Sequence, residues 1–367
     1  MTDSSRPAHD AIAFMRRALE LAREGWGQTA PNPMVGAVVV RDDRIVGEGF
    51  HARYGAEHAE VVALRKAGAA CRGATLYVTL EPCRHAGKTP PCTDAIFACG
   101  INKVVYAVAD PTPVAGGGAA ELREAMLEIE GGLLEAEAKE LNASFFNSIQ
   151  TDLPWTTLKL AVSMEMAIAN ERGSTTWLTS PESRAEVHRM RAGHDAVGVG
   201  VGTIIADDPH LNVRDAPKPR KAPVRVVFDR SLRTPLQSKV VFTARDTPTI
   251  VLTSSMAPVA KADALRDSGV HVLAATDLRD GFRRLRAAGI QSILVEGGAT
   301  IANAVVDEGL AHRLAIFQAP VSLGAEALHA FDGASNRLIS RLELLRVLEH
   351  REIGPDTLTT YALTEWK

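Results

Sequence analysis

The chain has 367 residues, a formal net charge of −3, 46% hydrophobic and 23% charged residues. The length points to two domains, and a sequence pI of about 6.4 argues against a broad nucleic-acid footprint. The polar start MTDSSRPAHD lacks the basic-then-apolar pattern of a secretory signal, and no apolar run approaches the ~18 residues of a membrane span. A cytoplasmic protein with no nucleic-acid and no membrane partner is therefore expected.

In chain order, HDAIAFMRRALELAREGWG sets Ile12, Met15, Leu19 and Ala22 at helical spacing, with Gly25 as a stop. MVGAVVV and RIVGEGF, joined by RDD, predict a β-hairpin. A helix from Glu57 to Ala67 follows, then the strand ATLYVTL, a Pro- and Gly-rich loop, a helix from about Thr93 and the strand KVVYAVA. This rhythm implies a sheet flanked by helices. The pattern restarts at Pro154 with the strand WTTLKLAV. DAVGVGVGTII, VRVVFD, TIVLTS, HVLAA, SILVEGG and RLAIFQAPV continue it in alternation with helices. The domain boundary is expected near Leu153, giving domains of residues 1–152 and 153–367.

Four cysteines in so long a chain are no disulfide framework, and two of them close to a histidine suggest metal. His58 and Glu60 stand two apart at a helix start. Cys83 follows Pro82 at the end of a strand, and Cys92 follows Pro91 at the start of a helix, where the dipole favours a thiolate. A zinc deaminase needs three protein ligands, an open corner for water, and a carboxylate that is not a ligand. The set His-x-Glu, Pro-Cys and a second cysteine supplies all of these. The second cysteine is displaced from the short Pro-Cys-x-x-Cys spacing, where Ala86 stands, and RHAGKTP fills the gap. Cys71 and Cys99 have no such context and read as structural.

PNPMVGAVVV, HAEVVAL, VTLEPCRHAGKTPPC and DPTPVAGGG resemble the deaminase half of the bifunctional riboflavin-biosynthesis deaminase/reductase family. The long Cys-to-Cys spacing separates that family from cytidine and tRNA deaminases. The resemblance implies a cytidine-deaminase-like three-layer domain with Zn2+ held by His58, Cys83 and Cys92, and Glu60 as proton shuttle. The implied reaction is attack of zinc-activated water on a 2,5-diamino-6-ribosylamino-pyrimidinone 5′-phosphate, releasing ammonia. Asn32, His51, His85 and Lys88 match the family's substrate pocket. Lys88 and His85 suit a phosphate or a carbonyl oxygen. At DPTP the family usually has Asn where Thr112 stands, which alters one substrate hydrogen bond.

In the second half, Gly198, Gly200 and Gly202 alternate, but not as G-x-G-x-x-G, and no acidic partner follows at the usual distance. The alternation suits a strand end where backbone approaches something closely. In VEGGATIANAVVDEGL a strand runs through Gly297 and Gly298 straight into a helix, whose unpaired N–H groups would cradle a phosphate. LKLAVS, TTWLTS, GVGTIIADDPHLNVR, PVRVVFD and VEGGATIAN resemble the same family's reductase half, a dihydrofolate-reductase-like α/β domain. The resemblance implies NADPH and reduction of ribosyl to ribityl. It places the cofactor against Ala161, Trp177, Thr203, Asp207, Arg230 and the run Gly298, Ala299, Thr300, Ile301, Ala302, Asn303 and Ala304. It places substrate against Thr175, Arg191, Leu211, Arg214 and Glu296, with arginines suited to a sugar phosphate. It also suggests a homo-oligomer, dimer or tetramer.

After the first reductase strand the family usually reads Ser-Leu-Asp-Gly-Lys/Arg; here the run is SMEMAIA. With Met166 in place of glycine, the expectation is a rebuilt loop and a weakened or retuned reductase. Three functions compete: a bifunctional deaminase/reductase, a deaminase of another small pyrimidine with a degenerate second half, and a zinc-stabilised binding module. Glu60 speaks against the last, because a structural zinc site closes with a fourth ligand.

Overall fold

The computed structural model describes residues 6–169, 178–324, 326–331 and 342–364. The chain divides into two compact units, Met1–Gln150 and Thr151–Lys367. Among the described residues no helix is long and apolar enough to cross a membrane.

The first unit runs α1 (Arg6–Arg23), β1 (Gly36–Arg41), β2 (Arg44–Phe50), α2 (Ala59–Ala67), β3 (Thr75–Leu80), α3 (Cys92–Cys99), β4 (Lys103–Val108), α4 (Gly118–Glu124), β5 (Glu128–Gly131), α5 (Glu135–Leu141) and α6 (Ala143–Gln150). Its sheet has the order β2-β1-β3-β4-β5. β1 pairs antiparallel with β2 and β3, and β3, β4 and β5 are parallel. Asp42 and Asp43, at φ 50° and 57°, make the tight β1–β2 turn. Helices cover both faces, giving the three layers.

Two glycines set the depth of α2. A Cβ on Gly47 would stand 2.3 Å from the Ala63 carbonyl oxygen, and one on Gly49 would stand 2.4 Å from that of Ala59. Their absence lets α2 lie against β2 backbone. The first turn of α2, which carries Glu60, is thereby held at the sheet.

The second unit runs β6 (Trp155–Val162), β7 (Ala167–Ala169), α7 (Pro181–Ala192), β8 (Ala196–Gly200), α8 (Val201–Asp207), β9 (Val224–Phe228), α9 (Lys239–Phe242), β10 (Thr249–Ser254), α10 (Val259–Asp267), β11 (His271–Ala275), α11 (Leu278–Ala287), β12 (Ser292–Glu296), α12 (Ala299–Asp307), β13 (Arg313–Gln318), β14 (Leu328–His329), β15 (Val347–Ile353) and β16 (Asp356–Ala362). Nine strands form one sheet, β11-β10-β9-β8-β12-β6-β13-β16-β15. It is parallel from β11 to β13, and its last strands are antiparallel. Core clusters on the sheet centre on Phe282, Leu158 and Ile293, and on Val199, Val227 and Leu265.

Two local readings need correction. DAVGVGVGTII is not one strand: β8 stops at Gly200 and Val201 opens α8. Gly198 does serve a close approach, but to a side chain, since a Cβ there would lie 2.8 Å from the Phe228 ring.

In SMEMAIA the loss of glycine does not remove the left-handed residue, against the expectation that Met166 forbids it. Met166 itself takes the left-handed conformation at φ 64°, and its side chain packs on the core that includes Leu158 and Phe331. Glu165 ties the turn by accepting from the Ser163 hydroxyl (2.8 Å), the Ser322 hydroxyl and the Leu323 N–H (3.4 Å). Packing and these bonds offset the strain that a side chain meets at positive φ.

Candidate active sites

In the first unit the metal triad forms as the spacing implied. One donor atom each from His58, Cys83 and Cys92 lies within 4.8 Å of the others. His58 Nδ1 is 3.2 Å from Cys92 Sγ and 3.5 Å from Cys83 Sγ. One imidazole and two thiols, with no fourth protein donor in the group among the described residues, is the donor set of a catalytic zinc.

Each ligand comes from an element end. His58 caps α2 in extended conformation, which turns its ring off the helix. Cys83 leaves β3, and Cys92 is the first residue of α3. The eight residues between the cysteines do not separate them, because the loop is clamped at its base. The Cys92 and Thr93 N–H groups donate to the Cys83 carbonyl at 3.1 and 3.3 Å. Thus the displaced second cysteine reaches the same corner that a short spacing would give it.

The two cysteines are shifted in opposite directions. Cys83 is held down at about 4, first by the hydrogen bond from Cys92, against burial and with His58 helping. Cys92 is pushed up by that same bond and by burial. His58 is raised, chiefly by its bond with Cys83. Glu60, only 4% exposed, lies within hydrogen-bond reach of Cys92, and burial raises its carboxyl above the usual range. A buried carboxyl whose proton affinity is raised suits a shuttle.

Around this centre, buried His51 meets His58 edge to face at 5.6 Å between rings. Its Nδ1 lies 3.1 Å from the Glu57 carbonyl oxygen, and its Nε2 is buried without a partner. His85 Nδ1 is likewise buried and unpartnered. Lys88 is exposed, with its ammonium 4.1 Å over the Tyr54 ring. Half-buried Asn32 closes a turn onto the Thr29 carbonyl before β1. The DPTPVAGGG loop is pinned by Glu81, whose carboxylate accepts from the N–H groups of Asp110, Gly117 and Ala119 at 3.0, 3.1 and 2.9 Å. Thr112 is spent locally on Asp110, through its N–H and its hydroxyl.

In the second unit, a cleft of about 1370 Å³ opens where β6, β8, β9 and β12 end. β12 is inserted between β6 and β8, so the connections diverge there, as at the ligand-binding switch points of parallel sheets. Of the expected cofactor residues, Ala161, Thr203, Asp207, Arg230, Gly298, Ala299, Thr300, Ile301 and Ala304 line it. The expected substrate residues Arg191, Leu211, Arg214 and Glu296 line the same cleft. Ala302 and Asn303 do not. The helix turns Ala302 into the core, and the Asn303 amide bonds back to the Ala299 carbonyl at 2.7 Å. Thr175 and Trp177 lie outside the described residues.

Two arrangements change the chemistry expected here. Arg191 does not present a free fork: its Nε and Nη2 grip the two Glu296 oxygens at 2.6 and 2.9 Å, and its Nη1 donates to the Asn212 carbonyl. Lys159, which motif reading passed over as one polar residue in an apolar strand, also lines the cleft. Burial lowers its ammonium below the usual lysine range, while Glu296 opposes the shift. Burial pushes the Glu296 carboxyl up, but Arg191, and then Lys159, bring it below the ordinary value. Nothing among the described residues would meet a Cβ on Gly298, the N-cap of α12, within 4 Å, so the backbone N–H groups at that helix entry are open to a phosphate.

Residues 8–108 match the cytidine and deoxycytidylate deaminase zinc-binding region, and residues 154–359 match the RibD C-terminal domain. The riboflavin biosynthesis protein RibD of Aquifex aeolicus is 46% identical over 85% of this chain and 87% of its own. That of Bacillus amyloliquefaciens is 41% identical over 95% of each. The structure of Acinetobacter baumannii RibD superposes with a TM-score of 0.83 at 36% identity, covering 98% of this chain and 100% of that one. A Thermotoga maritima diaminohydroxyphosphoribosylaminopyrimidine deaminase/5-amino-6-(5-phosphoribosylamino)uracil reductase superposes with a TM-score of 0.81 at 35% identity, covering 97% and 99%.

Proposed function

Because this chain belongs to the RibD family of bifunctional deaminase/reductases of riboflavin biosynthesis, we propose that it acts twice on one phosphorylated pyrimidine nucleotide. It deaminates 2,5-diamino-6-ribosylamino-4(3H)-pyrimidinone 5′-phosphate, then reduces the ribosyl group of the product to ribityl with NADPH. The observation that carries the first step is the triad of His58, Cys83 and Cys92 with a buried carboxyl beside it.

Zinc held by His58, Cys83 and Cys92 would supply a water acidified to near neutrality. Glu60 takes the proton of that water and returns it to the substrate, so that water and an amine become a carbonyl and ammonia. His51 and His85, each with an unpartnered buried nitrogen, hydrogen-bond the pyrimidine, with Asn32 beside them. Lys88, presented on an exposed loop, meets the phosphate. Two thiolate ligands suit the reducing cytoplasm.

In the second unit NADPH lies along Ala161, Thr203, Asp207 and the start of α12. Arg230 reaches a 2′-phosphate and Arg214 the sugar phosphate, since both are exposed cations on the cleft wall. Arg191 has another task, holding Glu296 as a carboxylate toward the sugar. The cofactor supplies the hydride; the protein supplies orientation and excludes water. The reading of a deaminase with a degenerate second half loses its main support, because the SMEMAIA turn is formed.

The test is sequential. Zinc-loaded protein given the diaminopyrimidine nucleotide should release one ammonia per substrate, and NADPH should be oxidised only after that release. Ammonia without later NADPH oxidation would leave a deaminase alone. Light scattering of the same sample checks for the expected dimer or tetramer.

A further inference from the structure

The long loop between Cys83 and Cys92 carries more than substrate contacts. His58 has two ring nitrogens, and both are engaged. Nδ1 faces the two sulfurs, at 3.2 and 3.5 Å. Nε2, on the opposite side, is 3.3 Å from the hydroxyl oxygen of Thr89. A neutral imidazole has one N–H and one lone pair, so a metal at Nδ1 requires the proton on Nε2. That N–H then needs an acceptor, and Thr89 Oγ1 is the one that stands there.

The geometry points to Thr89 as the positioning residue of the zinc site, fixing both the tautomer and the ring orientation of His58. This rests on the zinc assignment above and deepens it. Thr89 is half-buried, and its carbonyl accepts the Gly87 N–H at 3.1 Å, which tightens the loop just before Pro90 and Pro91. Its neighbour Lys88 reaches the Tyr54 ring instead. Adjacent residues therefore divide the work, with Thr89 meeting the ligand and Lys88 extending along the loop exterior. Thr89 belongs to the residues that the long Cys-to-Cys loop adds. Outer partners of this kind typically change metal affinity by roughly 10–100-fold when removed.

The experiment measures zinc affinity by chelator competition in the full-length wild type, Thr89→Val and Thr89→Ser. Valine keeps the shape and removes the acceptor; serine keeps the hydroxyl. The expected result is a zinc dissociation constant raised about ten-fold or more in Thr89→Val and restored toward wild type in Thr89→Ser. Nitrogen-15 NMR of the zinc-loaded protein should show a protected Nε2–H on His58 that becomes exchange-broadened in Thr89→Val. Equal zinc affinity in wild type and Thr89→Val, with an unchanged Nε2–H signal, overturns the inference while leaving the zinc site intact. A wild type that binds no zinc overturns the zinc assignment itself. Should Thr89→Val lose its folded circular dichroism spectrum, Thr89→Ala in the same titration decides by the same criterion.

Discussion

Arg191 and Glu296, 105 residues apart, meet as a two-point ion pair lining the second unit's cleft, with side chains 12% and 11% exposed. Removing the arginine strands a buried carboxylate. Arg191→Ala should cost about 3–5 kcal/mol in the unfolding of that unit and lower the reductase kcat/KM by roughly 100-fold. Ammonia release should persist. A reductase rate within two-fold of wild type would show that the pair is only structural.

Lys159 lines the same cleft beside that pair. Lys159→Met keeps the length of the side chain and removes its charge. It should lower NADPH oxidation on the deaminated substrate by roughly ten-fold or more without affecting ammonia release. Unchanged steady-state kinetics would remove Lys159 from the site.

Glu60 is the buried carboxyl next to the triad. Glu60→Gln should abolish ammonia release while zinc content stays near one per chain, because the residue is not a ligand. Measurable turnover in the zinc-loaded variant would refute the proton-shuttle role.

Met166 holds a left-handed turn that glycine would adopt without strain. Met166→Gly relieves about 1 kcal/mol of strain but gives up packing on the core, so the midpoint of thermal unfolding should barely move. NADPH oxidation should stay within about two-fold of wild type. Met166→Val, β-branched at positive φ, should unfold several degrees earlier, on the order of 2–4 °C per kcal/mol.

His312 gives the second unit an acid-sensitive joint. Its Nδ1 accepts the Thr156 N–H at 3.1 Å and its ring stacks on Trp155 at 4.5 Å. Burial, then the charge of Arg313, lowers its pKa from 6.5 to about 4. The folded state thus resists a proton that the unfolded chain accepts. This contribution is complete above pH 6.5 and is lost as pH falls from about 6.5 to about 4, by an amount on the order of 3 kcal/mol. Asn can still accept the Thr156 N–H without titrating. Urea unfolding at pH 7.5 and pH 4.5 should therefore show His312→Asn losing less stability on acidification than the wild type. Parallel losses would exclude His312 as the cause.

The deaminase site was legible because its chemistry resides in residue types. Only a few side chains bind zinc, and His58, Glu60, Cys83 and Cys92 sit at element ends that hydrophobic periodicity already marks. Lys159 was not legible. A lysine within WTTLKLAV shows period-two alternation and nothing about which face meets a cleft. The Arg191–Glu296 pair was read as two substrate contacts, since sequence separation hides mutual distance. Ala302 and Asn303 were carried into the cofactor loop with their neighbours, although α12 turns them away.

From its residues alone this chain declared two α/β units, a zinc ligand set and the carboxyl that serves it, because ligand chemistry and the periods of helix and strand are local properties. Folding alone decided which charges neutralise one another, which histidine nitrogen faces the metal, and that Met166 can stand where glycine is expected. Those outcomes depend on burial and on contacts between segments distant in the chain, where desolvation and packing outweigh the preferences of any single residue.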